Sequence, residues 1–326
     1  MTEGPLPAER APQANFLPSA LPQFPVYIEK PDLSPFIAGN TGIAGFTCLD
    51  SSRPGPHAML VSLMHGNEIA GATVLAELLR GGFTPLRGKL TFGFANLDAF
   101  ARFDPANPLA SRYVEEDLNR VWDDVQLFGV RRSLELERAR AMRPLIDTAD
   151  VLLDLHSMLW PSDPVLLCGP APRGRELAAQ LATPGMIIAD SGHSGGKRLI
   201  DYAHFTAATG HAAGNLVEAG QHWEPATLTQ TRESVFALLR HAGMMEGAPP
   251  GAAPDFAEVV QTVTARTNRF VFLREYRGGE VIREAGTLIA HDGDTEIRTP
   301  FENCLLVMPS LRVSLGHTAV RLARFG

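Results

Sequence analysis

Two short stretches carry the side chains best suited to chemistry. In His65-Gly66-Asn67-Glu68 an imidazole and a carboxylate stand three residues apart, directly after the apolar run Ala58–Met64. The run reads as a buried strand, and Ile69–Arg80 behind it as a helix stopped by Gly81-Gly82. Ligands collect at the carboxyl ends of strands in open α/β sheets, and both side chains of such a turn can reach one ion. A third ligand would come from another strand end, and His156, which closes the run Val151–Leu155, is the candidate. Two histidines, a glutamate and an open fourth position form a catalytic zinc set, which brings the pKa of bound water to about 7. Taken alone, the tetrapeptide equally fits a plain turn, bent by Gly66 and Asn67 with its charged ends in solvent.

Arg112, Asn119 and Arg120 lie within nine residues of one another. Guanidinium forks match planar anions and can polarise a carbonyl; a solvated, salt-bridged loop is the competing explanation. Glu218 ends the apolar stretch Asn215–Val217, where a carboxylate is costly unless it is paired or used as a general base. Gly192-His193-Ser194-Gly195-Gly196 also matches the nucleophile-elbow pattern GxSxG of serine esterases. That reading would recruit Asp201 or Glu218 as the acid and His222 or His241 as the base. It lacks an upstream HGGG-type oxyanion loop and leaves the first two motifs unexplained. His193, His204, His211 and His222 are further candidates for the pocket wall. A metal-binding interaction protein without catalysis would be expected to lack Glu218 or Arg112, and both are present.

In chain order, HxxE, R-x₆-NR, strand-DLH and strand-E-x-G resemble the pattern of the succinylglutamate desuccinylase/aspartoacylase family, relatives of the zinc carboxypeptidases, over roughly residues 40–245. The resemblance implies a mixed, mainly parallel sheet flanked by helices, with a small C-terminal all-β domain. It implies one Zn²⁺ per chain on His65, Glu68 and His156. It further implies that Arg112 polarises the scissile carbonyl and that Asn119 and Arg120 hold a substrate carboxylate. Glu218 would then activate the zinc-bound water that cleaves an N-acyl amide of an amino acid or a related small molecule. The chain departs from aspartoacylases in one respect: residues 199–217 contain no Lys or Arg, where those enzymes place an arginine for a second substrate carboxylate. The expected substrate therefore has a single carboxylate, unless Lys197, Arg198 or a cation from the tail supplies a second clamp.

The elements that must position these groups follow from periodicity. Besides those above, Leu90–Ala95, Pro164–Leu167, Met186–Ala189 and the pair Leu216–Val217 read as strands, and 132–146, 173–182 and 225–242 as helices. Strands alternating with helices predict an α/β catalytic domain over residues 26–246. A Pro-rich flexible arm (1–25) precedes it, and a Pro/Gly/Ala linker (247–255) leads to a small β domain (256–326). That domain contains no lysine, which excludes a biotin- or lipoate-carrying role.

The chain has 326 residues, of which 45% are hydrophobic and 20% charged, enough to bury a sizeable core. A net charge of −7 argues against a nucleic-acid partner. Three widely spaced cysteines fit a reducing compartment rather than a disulfide frame. With no apolar run of membrane-spanning length and no signal peptide, the expected location is the cytoplasm and no membrane partner is expected. Whether the chain forms homo-oligomers stays open.

Overall fold

Apolar runs fold as strands and amphipathic ones as helices throughout the residues described by the computed structural model, 23–192, 195–247 and 253–326. In chain order the α/β part comprises β1 (Phe46–Asp50), β2 (His57–Ser62), α1 (Ile69–Arg80), β3 (Lys89–Phe94) and α2 (Leu97–Ala101). Then come α3 (Asp124–Leu127), α4 (Leu134–Ile146), β4 (Val151–Met158), β5 (Val165–Cys168) and α5 (Pro172–Leu181). It ends with β6 (Met186–Ala189), α6 (Ala203–Thr206), β7 (Ala213–Gln221) and α7 (Pro225–His241).

The sheet order in this part is β1-β3-β2-β4-β7-β5-β6. The inner strands β3, β2, β4 and β7 are parallel, β1 runs antiparallel to β3, and β5 runs antiparallel to β7 but parallel to β6. Alternate residues of an inner strand enter different cores. Leu60 and Leu153 pack with α1, α5 and α7 on one face, and Met59 and Leu152 with α4 on the other. Strands covered on both faces read as continuous apolar runs, which is why β2 and β4 were legible. Helix α4 starts where Ser133 accepts a hydrogen bond from Leu136 N–H at 3.0 Å.

Three features differ from the expected outline. The strand expected at 216–217 extends over nine residues, because sheet pairing on both sides overrides the weak strand propensity of Gly214, Asn215 and Gly220. Phe24, inside the expected arm, meets Trp160 edge-on at 5.8 Å. The tail folds as β8 (Asp255–Thr264), β9 (Phe270–Phe272), β10 (Val281–Ile282), β11 (Leu288–Asp292), β12 (Thr295–Arg298), β13 (Cys304–Val307) and β14 (Thr318–Phe325). It is all-β as expected, yet β8 pairs in parallel with β6, so the large sheet continues through β8-β14-β13-β10. Strands β12, β11 and β9 form a separate antiparallel sheet. Among the described residues no helix is long and apolar enough to cross a membrane.

Candidate functional site

The site lies at the carboxyl ends of neighbouring parallel strands. Beyond β2, Leu63 adopts a left-handed conformation (φ 57°) and turns the chain out of the sheet into residues 65–68. Gly66 is required there: a Cβ would lie 2.4 Å from backbone atoms of Ala99 and Phe100. Its N–H donates to Arg112 O at 3.0 Å, which ties the His65–Glu68 turn to the segment bearing Arg112. From beyond β7, Trp223 Nε1 donates to Asn67 O at 3.1 Å.

Glu68 sits at the N-cap position of α1 without capping it. Its two oxygens face the site instead: His65 Nδ1 is 2.8 Å from Oε1 and His156 Nδ1 is 3.0 Å from Oε2. One ligand atom from each of these buried residues falls within 4.8 Å of the others, so the group can hold a metal ion. The outer imidazole nitrogens are backed by carboxylates, with His65 Nε2 2.8 Å from Asp117 Oδ1 and His156 Nε2 2.9 Å from Asp154 Oδ2. Two imidazoles and a carboxylate form a donor set that fits a divalent ion taking nitrogen and oxygen ligands. Asp154 makes its contact at ion-pair distance and takes no well-aligned hydrogen bond among the described residues. Coulomb attraction to His156 is what holds this charge in the sheet interior.

Strand geometry accounts for the clustering. Asp154 and His156 are two residues apart on β4 and share a face, and the parallel register sets Glu218 of β7 beside His156. Burial, and after it the Glu68 carboxylate, push the Glu218 carboxyl up to about 8. Glu68 itself is held well below the usual carboxylate range, because His65 and His156 outweigh its burial. One carboxyl of the pair is thus strongly acidic and the other is poised near neutrality.

A second loop presents Arg112 and Asp117. Buried Glu135 of α4 organises it, accepting from Val114 N–H at 2.6 Å, Glu115 N–H at 3.1 Å, Glu116 N–H at 3.2 Å and Asn96 Nδ2 at 3.1 Å. Glu135→Ala leaves these donors without their acceptor and is expected to cost about 1–3 kcal/mol of stability, read as a lower denaturant midpoint together with reduced turnover. A midpoint shift no larger than that of a surface substitution would show that the loop holds itself.

Arg112 Nη1 donates to Glu68 Oε1 at 3.1 Å, and Arg112 Nη2 to Asp117 Oδ2 at 3.4 Å. Asn119 is turned inward, with Oδ1 accepting from Leu199 N–H at 2.7 Å and Nδ2 3.2 Å from His156 Nε2. The Arg120 guanidinium donates to Asn119 O at 2.6 Å, and the side chain borders a cavity with His65, Glu68, Arg112, His156 and Glu218. His65, Glu68, Arg112, Asn119, Arg120, His156 and Glu218 all border this cavity.

His222 joins them as a neutral imidazole, its pKa pushed down to about 3 by burial, with Nδ1 2.8 Å from Ser157 Oγ. His204 Nε2 instead meets Ala149 O at 2.8 Å, and exposed His211 lies 2.9 Å from Asp150. Asp201, one acid proposed for the elbow, is bound by Arg198 at 2.7 Å. Ser194 and His193 lie outside the described residues. Sequence reasoning missed Asp117, Asp154, Glu135 and Arg321, and named Arg198 only as a possible clamp. The signal for Asp154 and Arg321 was a lone charge inside an apolar strand.

The family model described as "Succinylglutamate desuccinylase/Aspartoacylase catalytic domain" matches residues 54–242, more than half of the chain. No curated protein matches it. The solved structure of succinylglutamate desuccinylase from Vibrio cholerae superposes with a TM-score of 0.67 at 17% identity, covering 86% of this chain and 86% of that one. The corresponding Vibrio parahaemolyticus structure gives 0.65 at 17% identity, with 86% of each chain covered. The product-bound ectoine utilization protein EutE from Ruegeria pomeroyi gives 0.61 at 17% identity, covering 85% of this chain and 88% of that one. At these identities the likeness is one of fold.

Proposed function

The chain belongs to the succinylglutamate desuccinylase/aspartoacylase family, and from that premise we propose that it is a zinc-dependent hydrolase cleaving an N-acyl amide of an amino acid or a related small molecule. His65, Glu68 and His156 would hold one zinc ion per chain, which when bound supplies a Lewis acid for the carbonyl and lowers the pKa of water. Glu218 takes a proton from water on its carboxylate and returns it to the leaving amine, so that the acyl group gains hydroxyl and the amine gains hydrogen. A carboxyl pushed up to about 8 suits a group that must both accept and donate near neutrality. Arg112 directs N–H donors at the carbonyl oxygen, where negative charge develops. Arg120, with Asn119 behind it, takes a substrate carboxylate.

The observation that carries this reading is the approach of two imidazole Nδ1 atoms to Glu68, with Glu218 one strand away on the same face. A purely structural ion pair has no use for a second, neutralised carboxyl there. The test is amine release from a panel of N-acyl amino acids by the zinc-loaded chain, with and without a chelator. Turnover that the chelator abolishes is expected; no release across the panel would overturn the reading. Ser194→Ala is expected to retain activity within about threefold, because the serine takes no part in the zinc mechanism. Chelator-resistant turnover that disappears with Ser194→Ala would instead establish the nucleophile elbow.

A further inference from the structure

One stretch of the cavity wall carries neither a charge nor a metal ligand. Met158, Trp160, Met308 and Pro309 border the same cavity as His65, Glu68 and His156. Met158 ends β4 and Trp160 lies two residues beyond it, while Met308 and Pro309 follow β13 in the tail. Met308 has a left-handed backbone (φ 48°), a conformation uncommon for a bulky side chain. Strain of this kind persists where the surroundings fix it, and it gathers at ligand sites.

Other parts of the chain brace this wall. Asp163 N–H donates to Gly278 O at 2.9 Å, and Gly278 N–H to Pro161 O at 3.3 Å. The two segments approach so closely that a Cβ on Gly278 would strike Ser162 Oγ. Arg277 adds an ion pair to Asp163 at 2.8 Å. On the other flank Phe24 meets the Trp160 ring edge-on, and Tyr27 N–H donates to Trp223 O at 3.2 Å. The bracing residues Phe24, Tyr27, Arg277 and Gly278, like Met308 and Pro309, lie outside residues 54–242, so family membership alone does not fix what the wall accepts.

The charged part of the cavity is already committed. Arg112 and Arg120 take the carbonyl and one carboxylate in the reading above. Arg198 and Arg321 also border the cavity, but they face Asp190 and Asp201. Arg198 Nε donates to Asp201 Oδ2 at 2.7 Å and its Nη1 to Asp190 Oδ2 at 3.1 Å, and Arg321 Nε lies 3.1 Å from that same Asp190 oxygen. Two guanidiniums against two carboxylates leave no net charge there. An apolar wall in an open polar cavity is stabilised when an apolar group displaces the water on it. Two flexible thioethers adapt to a branched or aromatic group, and the Trp160 ring offers a large apolar surface beside them.

We propose that Met158, Trp160, Met308 and Pro309 form a specificity pocket for an apolar group of the substrate, of four carbons or more. The preferred substrate is then an N-acyl amino acid with one carboxylate and one such group. The proposal rests on reading the cavity as the substrate site of a deacylase, and it keeps the single-carboxylate expectation drawn from residues 199–217. The apolar group belongs to the acyl part or to the amino-acid side chain, and matched probes separate the two sources.

The test uses N-acetylglycine, N-acetylphenylalanine and N-benzoylglycine, each with a single carboxylate. Their binding is measured by calorimetry on the full zinc-loaded chain carrying Glu218→Gln, so that no probe is consumed. At least one of the larger probes is expected to bind about tenfold or more tighter than N-acetylglycine. It is N-acetylphenylalanine if the pocket takes the side chain and N-benzoylglycine if it takes the acyl group. With Trp160→Ala added, that preference is expected to fall below about threefold. Equal binding of all three, binding of none, or a preference that survives Trp160→Ala overturns the proposal. Should Trp160→Ala fail to fold, Met308→Gln keeps the length of the side chain and sets a polar amide in the wall. A preference reduced at least about threefold is then expected, and an unchanged one is fatal. Failure of the deacylase reading looks different: a Trp160-dependent preference with no amine released from any of the three probes by the native chain.

Discussion

Alanine in place of His65 or His156 is expected to leave a purified protein with less than about a tenth of the one zinc ion per chain predicted for the native sequence. Each imidazole presents its Nδ1 to Glu68 at 2.8 and 3.0 Å, and each supplies one of only three ligand atoms. The two variants differ in what they leave behind. Without His156, Asp154 loses its ion partner while fully enclosed, and breaking a buried pair in this way costs about 3–5 kcal/mol. Without His65, Asp117 still faces Arg112 at 3.4 Å and has 18% of its side chain exposed, so the loss is smaller. His156→Ala should therefore melt at lower temperature than His65→Ala when both are metal-free. Zinc content by atomic emission and thermal melts decide the matter. Full zinc retention in both variants would sink the assignment, and the reverse order of melting would mean that Asp154 is not held by His156.

What the sequence revealed was local. Period-3.6 patterns and short apolar runs located α1, β2, β3 and β6 to within a residue or two, since each forms from contacts near in the chain. The grouping of His65, Glu68 and His156 was legible because polar side chains that close such runs gather at one edge of the sheet. Partners brought by pairing were not. Glu135 meets Val114, Glu115 and Glu116 only after α4 docks beside their loop. Asp154 read as one polar residue in a strand until the β4–β7 register put Glu218 next to its histidine. Arg321 became part of the site because β8 pairs with β6 and β14 with β8, a long-range registration that periodicity does not encode. The tail, read from spacing as a small β domain, joins the large sheet through β8 and β6, and through that pairing one residue reaches the cavity.

Glu218→Gln is expected to keep the metal and lose the reaction. The amide retains the shape of the carboxyl but cannot take a proton from water, and removal of a general base typically lowers the rate by ~10²–10⁴. Zinc content should not change, because Glu218 is outside the three-ligand group. The substitution also has a signature without substrate or metal. Burial and Glu68 hold the Glu218 carboxyl near 8, against an ordinary value of 4.5. Between those pH values the unfolded chain binds fewer protons than the folded one, so this group makes stability fall as pH rises. Glutamine has no such titration. The metal-free variant should therefore gain stability over the metal-free native chain progressively from about pH 5 to pH 8, and the gain should level off above. Melting curves across that range measure it. A difference that stays flat with pH would mean that Glu218 is ionised in the folded state, as an ion-paired structural residue would be, and wild-type-like turnover by the variant would remove Glu218 from the mechanism altogether.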